Sequence, residues 1–154
     1  MKIELICIGK IQKPYLKEGI ADYSKRLQHY IPCSITELKE DSSKDCEQTR
    51  IQESQKILEK IDPSDYVIVW DERGQEMNSQ GLSHFLEKCQ LQGHKKLVMV
   101  LGGAYGLSEA IRQRANKVFS LSQMTFPHQL ARLILMEQMY RAMTILKGEP
   151  YHHS

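Results

Sequence analysis

The C-terminal residues Tyr151, His152 and His153 combine a phenol with two imidazoles. Such side chains stack, hydrogen-bond and exchange protons near neutral pH; the alternative is a frayed terminus. Upstream, His128 follows Pro127 where a helix should begin, as a capping or solvent contact or as a ligand contact. Glu137 and Arg141 stand four apart in the order that favours a helical ion pair, structural or catalytic. Two further stretches could hold a ligand. Gly102-Gly103-Ala104-Tyr105-Gly106 follows an apolar run at residues 97–101. Glycines there either make a tight strand-to-helix turn or let backbone groups approach a ligand closely. Neither the dinucleotide fingerprint nor a P-loop is present. In residues 121–126, Ser122, Gln123 and Thr125 alternate with Leu121, Met124 and Phe126. Backbone hydrogen bonds over an apolar shelf are what a flat heterocycle such as adenine requires. A buried connection between strand and helix would show the same pattern.

The elements that must position these residues are legible from periodicity. Residues 2–8 form an Ile- and Leu-rich strand ending at Gly9. After Pro14, the recurrence of Leu16, Ile20, Tyr23 and Leu27 predicts an amphipathic helix to about Tyr30, broken by Pro32. Residues 34–38 alternate like a strand, and 40–44 are a charged loop. Residues 47–60 predict a largely solvated helix with Ile51, Ile57, Leu58 and Ile61 to bury. Residues 66–71 predict a strand that stops at Asp71-Glu72-Arg73-Gly74. A helix over 79–92, closed by Gly93, precedes the strand at 97–101. A short polar helix, a strand around 118–122 and a long helix over about 129–146 complete the chain. Strands alternating with helices predict an α/β fold with a mostly parallel sheet and helices on both faces. In such sheets ligands bind outside the carboxyl ends of the strands. The last helix is apolar almost all round: Leu130, Leu133, Ile134, Tyr140 and Ile145 supplement a face of Ala131, Leu135, Met139, Ala142, Met143 and Leu146. Its second apolar face predicts a two-fold homodimer.

A length of 154 residues fits one domain, 1–154, and a net charge of +2 is too small to announce nucleic-acid binding. Cys7, Cys33, Cys46 and Cys89 are widely spaced, without the pairs that a zinc or redox site needs. They read as reduced thiols of a soluble, cytoplasmic protein. No apolar run reaches membrane-spanning length, and no metal set is evident.

Four sequences together carry a family resemblance: Leu-Gly-Gly-x-x-Gly-Leu-Ser at 101–108, Leu-Ser-x-Met-Thr-Phe-Pro-His-Gln at 121–129, Tyr-Arg-Ala at 140–142 and Pro-Tyr-His at 150–152. With Gly9-Lys10 and Tyr-x-x-Arg-Leu at 23–27, the chain resembles the RlmH family over essentially its whole length. These are SPOUT-class methyltransferases that use S-adenosylmethionine to methylate N3 of a pseudouridine in a hairpin of large-subunit (23S) ribosomal RNA. The resemblance implies a SPOUT-type α/β knot, a C-terminal trefoil knot that connection rules alone would exclude. It implies cofactor contacts at Trp70, Gly102, Gly103, Leu121, Ser122, Gln123, Met124, Thr125 and Phe126. It also implies a homodimer in which the partner's tail completes the pocket, without a metal. Tyr151 and His152 would orient the base and assist proton transfer, with His128, Arg141 and His153 as substrate contacts. Lys10, Lys13, Lys17, Lys25 and Arg26 would meet phosphates of the ribosomal RNA or ribosome, or form a solvated helix face. Two positions depart from the family's pattern. His153 stands where a permanent cation is usual, and Trp70 where an aliphatic residue is common. A rival reading is a non-catalytic α/β dimer that binds a nucleotide-like ligand through the same two loops; a third is a chaperone-like RNA-binding dimer.

Overall fold

A computed structural model of the chain describes residues 1–41 and 45–153. The order is β1 (Lys2–Ile8), α1 (Pro14–Leu27), β2 (Cys33–Leu38), α2 (Cys46–Glu59), β3 (Tyr66–Glu76), α3 (Ser79–Leu91), β4 (Lys96–Leu101), α4 (Glu109–Arg114), β5 (Lys117–Ser120) and α5 (His128–Leu146). Every named strand pairing is parallel, in the order β2-β1-β4-β3-β5.

Side-chain alternation along the strands divides the core into two layers. Leu5, Cys7, Ile68, Trp70, Leu97 and Met99 face α1, α3 and α5, whereas Ile6, Ile8, Val67, Val69, Val98 and Val100 face α2 and α4. Helices therefore cover both faces, as the alternation of elements predicts. Strands buried on both sides read as continuous apolar runs, and β4 is one.

Local signals set most helix ends. Pro14 opens α1, Asn78 caps α3 by accepting from the Gly81 N–H at 2.8 Å, and Gly93 follows α3 with φ of 79°. Three elements depart from expectation. Helix α1 ends at Leu27, with residues 28–30 in a turn. Helix α2 buries Thr49, Glu53, Ser54 and Ile57, while Ile51 is 48% exposed. Its inner face is polar because it meets the backbone of the loop after β4 as well as the core. Strand β3 does not stop at Asp71. It continues to Glu76 through an irregularity between Trp70 and Gln75, so that Trp70 and Gln75 both register with Phe119. Gly74 lies so close to β5 that an added Cβ would stand 2.6 Å from the Phe119 carbonyl carbon. The Asp-Glu-Arg-Gly cluster thus marks a bulge instead of an end. Of the expected charged loop at 40–44, residues 42–44 lie outside the described residues.

Arg132 sits on the inner face of α5 and is 2% exposed. Its guanidinium donates to Glu37 Oε2 at 2.7 Å and to the Ile8 and Gly9 carbonyls at 3.2 and 3.0 Å. One charged side chain thereby joins the last helix to the carboxyl ends of β1 and β2.

Candidate active site

The registered pairs Trp70↔Leu101 and Trp70↔Phe119 set the ends of β4 and β5 beside the point where the bulge of β3 begins. The connection from β3 to β4 crosses one face through α3, and that from β4 to β5 crosses the other through α4. A crevice opens between neighbouring strands whose connections leave on opposite faces. There lies an open cleft of about 1340 Å³.

Three walls bound it beside the sheet. The first is the turn after β4. Gly106 has φ of 79°, and its N–H donates to the Gly103 carbonyl at 3.1 Å. A Cβ on Gly102 would stand 2.8 Å from Leu107 Cγ. The glycines thus make a tight turn, and Gly102 and Gly103 also line the cleft. The second wall is the segment at 121–128. Leu121, Ser122, Met124, Thr125, Phe126 and His128 line the cleft, whereas Gln123 belongs to the loop but not to its lining. Ser122 Oγ accepts from the Met124 N–H at 2.9 Å, and Thr125 Oγ1 donates to Glu72 Oε2 at 3.0 Å. The third wall is Trp70 with the charged residues that follow it.

Helices α2 and α4 line the rest of the cleft and brace the turn. Arg50 Nε donates to the Tyr105 carbonyl at 2.9 Å, and Ser54 Oγ accepts from the Ser108 N–H at 2.9 Å. Arg112 donates to Asp71 at 3.2 Å and to the Leu107 carbonyl at 3.1 Å, clamping the bulge of β3 to the turn. Burial pulls the Asp71 pKa upward, but the hydrogen bonds and charge of Arg73, with the charge of Arg112, outweigh it. Asp71 is therefore held below the ordinary aspartate value and stays ionised.

Glu53 lies beneath this turn, 4% exposed. Its Oε2 accepts from the Asp41 N–H at 3.2 Å, while Oε1 is buried without a partner, 3.0 Å from where a Gly103 Cβ would stand. Burial, foremost, raises its pKa. A carboxyl whose folded value exceeds its unfolded value loses stability as pH rises from the unfolded value through the folded one. Glu53→Gln is accordingly expected to raise the urea midpoint above that of the natural protein at pH 8. That gain should shrink towards pH 4. An equal effect at both values would contradict the assignment.

The tail residues gather elsewhere. Tyr151 donates to Glu137 Oε1 at 3.1 Å, and its hydroxyl lies 3.3 Å from that of Tyr23. Arg141 pairs with Glu137 at 2.6 Å, covers the Tyr151 ring at 4.7 Å and meets His152 Nδ1 at 3.1 Å. Because a guanidinium only donates, Nδ1 accepts here, and the neutral His152 ring carries its proton on Nε2. Burial, the Tyr23 hydroxyl and the Glu137 charge all raise the Tyr151 pKa, so the phenol keeps its proton. None of these residues lines the cleft, and His153 is exposed. The expected cofactor residues except Gln123 thus converge with His128, while Tyr151, His152 and Arg141 form a second cluster along α5. Glu137 and Arg141 make the helical ion pair that their spacing predicts. Arg50, Ser54, Asp71 and Arg112 escape a sequence reading, although the acidic-basic run after Trp70 marks where to look.

The polar content of the cleft suits a nitrogen heterocycle on an apolar shelf. Two of its lining residues, Trp70 and His128, each hold a buried ring nitrogen without a hydrogen-bond partner, Nε1 and Nε2 respectively. Among the described residues no cluster of three or more His, Cys, Asp or Glu could hold a metal, and no helix is long and apolar enough to cross a membrane. The four cysteines are free thiols.

The family model described as "Predicted SPOUT methyltransferase" matches residues 1–152. The protein named ribosomal RNA large subunit methyltransferase H of Syntrophotalea carbinolica is 48% identical over 155 residues, covering 99% of each chain. Its namesake from Trichlorobacter lovleyi is 42% identical, over 99% of this chain and all of its own. Among solved structures, the tRNA (m1G37) methyltransferase of Aquifex aeolicus shares the fold with a TM-score of 0.56 at 11% identity, covering 100% of this chain and 76% of its own. With a cleft at the carboxyl ends of β4 and β5 and full-length identity at this level, the chain belongs to the RlmH family of SPOUT methyltransferases.

Proposed function

We propose that the protein methylates N3 of a pseudouridine in a hairpin of 23S ribosomal RNA, using S-adenosylmethionine, as a cytoplasmic homodimer acting on the ribosome. The observation that carries this reading is the cleft between the glycine turn and residues 121–128 in a chain of this family. With the family comes the inference that the C-terminal segment is threaded as a trefoil knot.

Bound S-adenosylmethionine supplies a methyl group that its sulfonium already makes electrophilic. The protein's share is to hold and align the reactants and to take away the N3 proton. Gly102 and Gly103 leave room for close backbone approach, and Leu121 and Phe126 give the adenine an apolar seat. The lining residues Ser122, Met124 and Thr125 supply the remaining contacts.

The tail residues do not line the cleft of their own chain. Arg141 lies 13 residues beyond His128 on α5, and at a helical rise that is about 20 Å. Leu130, Leu133, Ile134, Tyr140 and Ile145 remain only partly buried on α5. Two-fold pairing through that apolar surface would bring a second copy's tail to the cleft. There Tyr151, kept as a phenol, orients the uracil-like ring by hydrogen bonding. His152, with a free lone pair on Nδ1 once Arg141 releases it, is the better proton acceptor of the two. His128, Arg141 and His153 approach the RNA, and Lys10, Lys13, Lys17, Lys25 and Arg26 meet its phosphates. The modest net charge leaves much of the recognition to the surrounding ribosome.

Nucleoside mass spectrometry of ribosomal RNA from a strain lacking the gene tests the activity. The N3-methylated pseudouridine should vanish and return when the gene is restored. Its persistence would defeat the assignment and favour a non-catalytic binding role.

A further inference from the structure

Trp70 is the only tryptophan in the chain and is 6% exposed. Its ring is tilted 56° against Phe119 at 5.7 Å. It lines the large cleft and also a smaller cavity of about 310 Å³, to which Leu121 and Phe126 contribute as well. Its Nε1–H is buried without an acceptor. The polar side chains around the smaller cavity are engaged with other partners. Ser79 Oγ donates to Gln138 Oε1 at 2.6 Å, Ser120 Oγ donates to the Ser122 carbonyl at 2.8 Å, and Asn78 caps α3.

An indole N–H is a donor only, so the group that completes it must bring a lone pair. A buried donor without a partner is costly, and each such exception calls for an explanation. The position narrows the choice. Trp70 shares both cavities with the apolar residues Leu121 and Phe126, which suit a neutral, flat acceptor better than a hydrated carboxylate. We propose that Trp70 is a specificity-determining residue whose indole N–H donates to a ring nitrogen of the cofactor's adenine. The inference rests on the S-adenosylmethionine reading above and adds to it the donor that selects the purine.

A donor that is unsatisfied in the free protein and satisfied in the complex has an unusual signature. Removing the N–H without changing the ring should strengthen the free protein and weaken binding. Loss of a merely structural contact would weaken both or leave binding alone. The single tryptophan permits a clean replacement by its benzothienyl analogue, in which sulfur takes the place of the N–H, through expression in a tryptophan auxotroph. Calorimetry with S-adenosylhomocysteine should then show roughly five- to tenfold weaker binding, the range of one neutral hydrogen bond. The melting temperature of the ligand-free protein should rise. One of the 1-, 3- or 7-deaza forms of that ligand should bind the natural protein more weakly than the parent ligand does, yet show no such loss with the substituted protein. Unchanged affinity in the substituted protein, or stability and affinity falling together, would overturn the donor role while leaving the cofactor assignment standing. Failure of the natural protein to bind S-adenosylhomocysteine at millimolar concentration would overturn both.

Discussion

Arg132→Ala is expected to destabilise the protein by about 3–5 kcal/mol, the cost of breaking a buried charge pair by deleting one member. The guanidinium is 2% exposed and reaches three acceptors: Glu37 Oε2 and the Ile8 and Gly9 carbonyls. Without it, the two carbonyls at the end of β1 lose their donor inside the core, and a cavity opens between α5 and the sheet. The Glu37 side chain, 37% exposed, can recover water, which places the effect nearer the lower end. Arg132→Lys retains the charge but not the planar fork, so it should fall between the two. Urea denaturation reads the difference directly. A shift below about 1 kcal/mol for the alanine variant would mean that the carbonyls find other donors and that the fork is dispensable.

Arg132 also shows where reading a sequence runs out. Apolar periodicity finds α3, β4 and α5 to within a residue or two, because each buries a continuous surface whose spacing is local. The glycine turn and the segment 121–126 stand out because their residue types are unusual directly after a strand. Arg132, by contrast, is one arginine on an apolar helix, and its partners lie 95 to 124 residues away. Glu53 gives no local sign that it is buried under Gly103. Gly74 reads as a stop because a charged cluster ending in glycine usually ends a strand. Only the approach of Phe119, 45 positions later, turns that cluster into a bulge. The tail presents the same difficulty on a larger scale. Its chemistry is plain from Tyr151 and His152, but which cleft it serves depends on how far α5 carries it.

That dependence gives the second large effect. Gly102→Val places branched carbons where even a Cβ stands 2.8 Å from Leu107 Cγ and 3.1 Å from the Gly106 carbonyl carbon, so the turn must open and cofactor binding should be lost. A double replacement, Tyr151→Ala with His152→Ala, leaves the cleft intact and removes the groups proposed to orient the base and accept its proton. Activity on ribosomes should fall by about 10²-fold or more in each homodimer. When the two variants are co-expressed, about half of the dimers are mixed, and each mixed dimer contains one unaltered cleft facing one unaltered tail. Activity should therefore recover to about a quarter of the natural level, provided that thermal melts show both variants folded. If each tail served its own chain, every cleft in the mixture would still lack either the turn or the tail, and no recovery could occur. Recovery on mixing is thus the outcome expected if the tail, which lines no part of its own chain's cleft, serves the partner's. Inactive mixtures of folded variants would rule out a shared site.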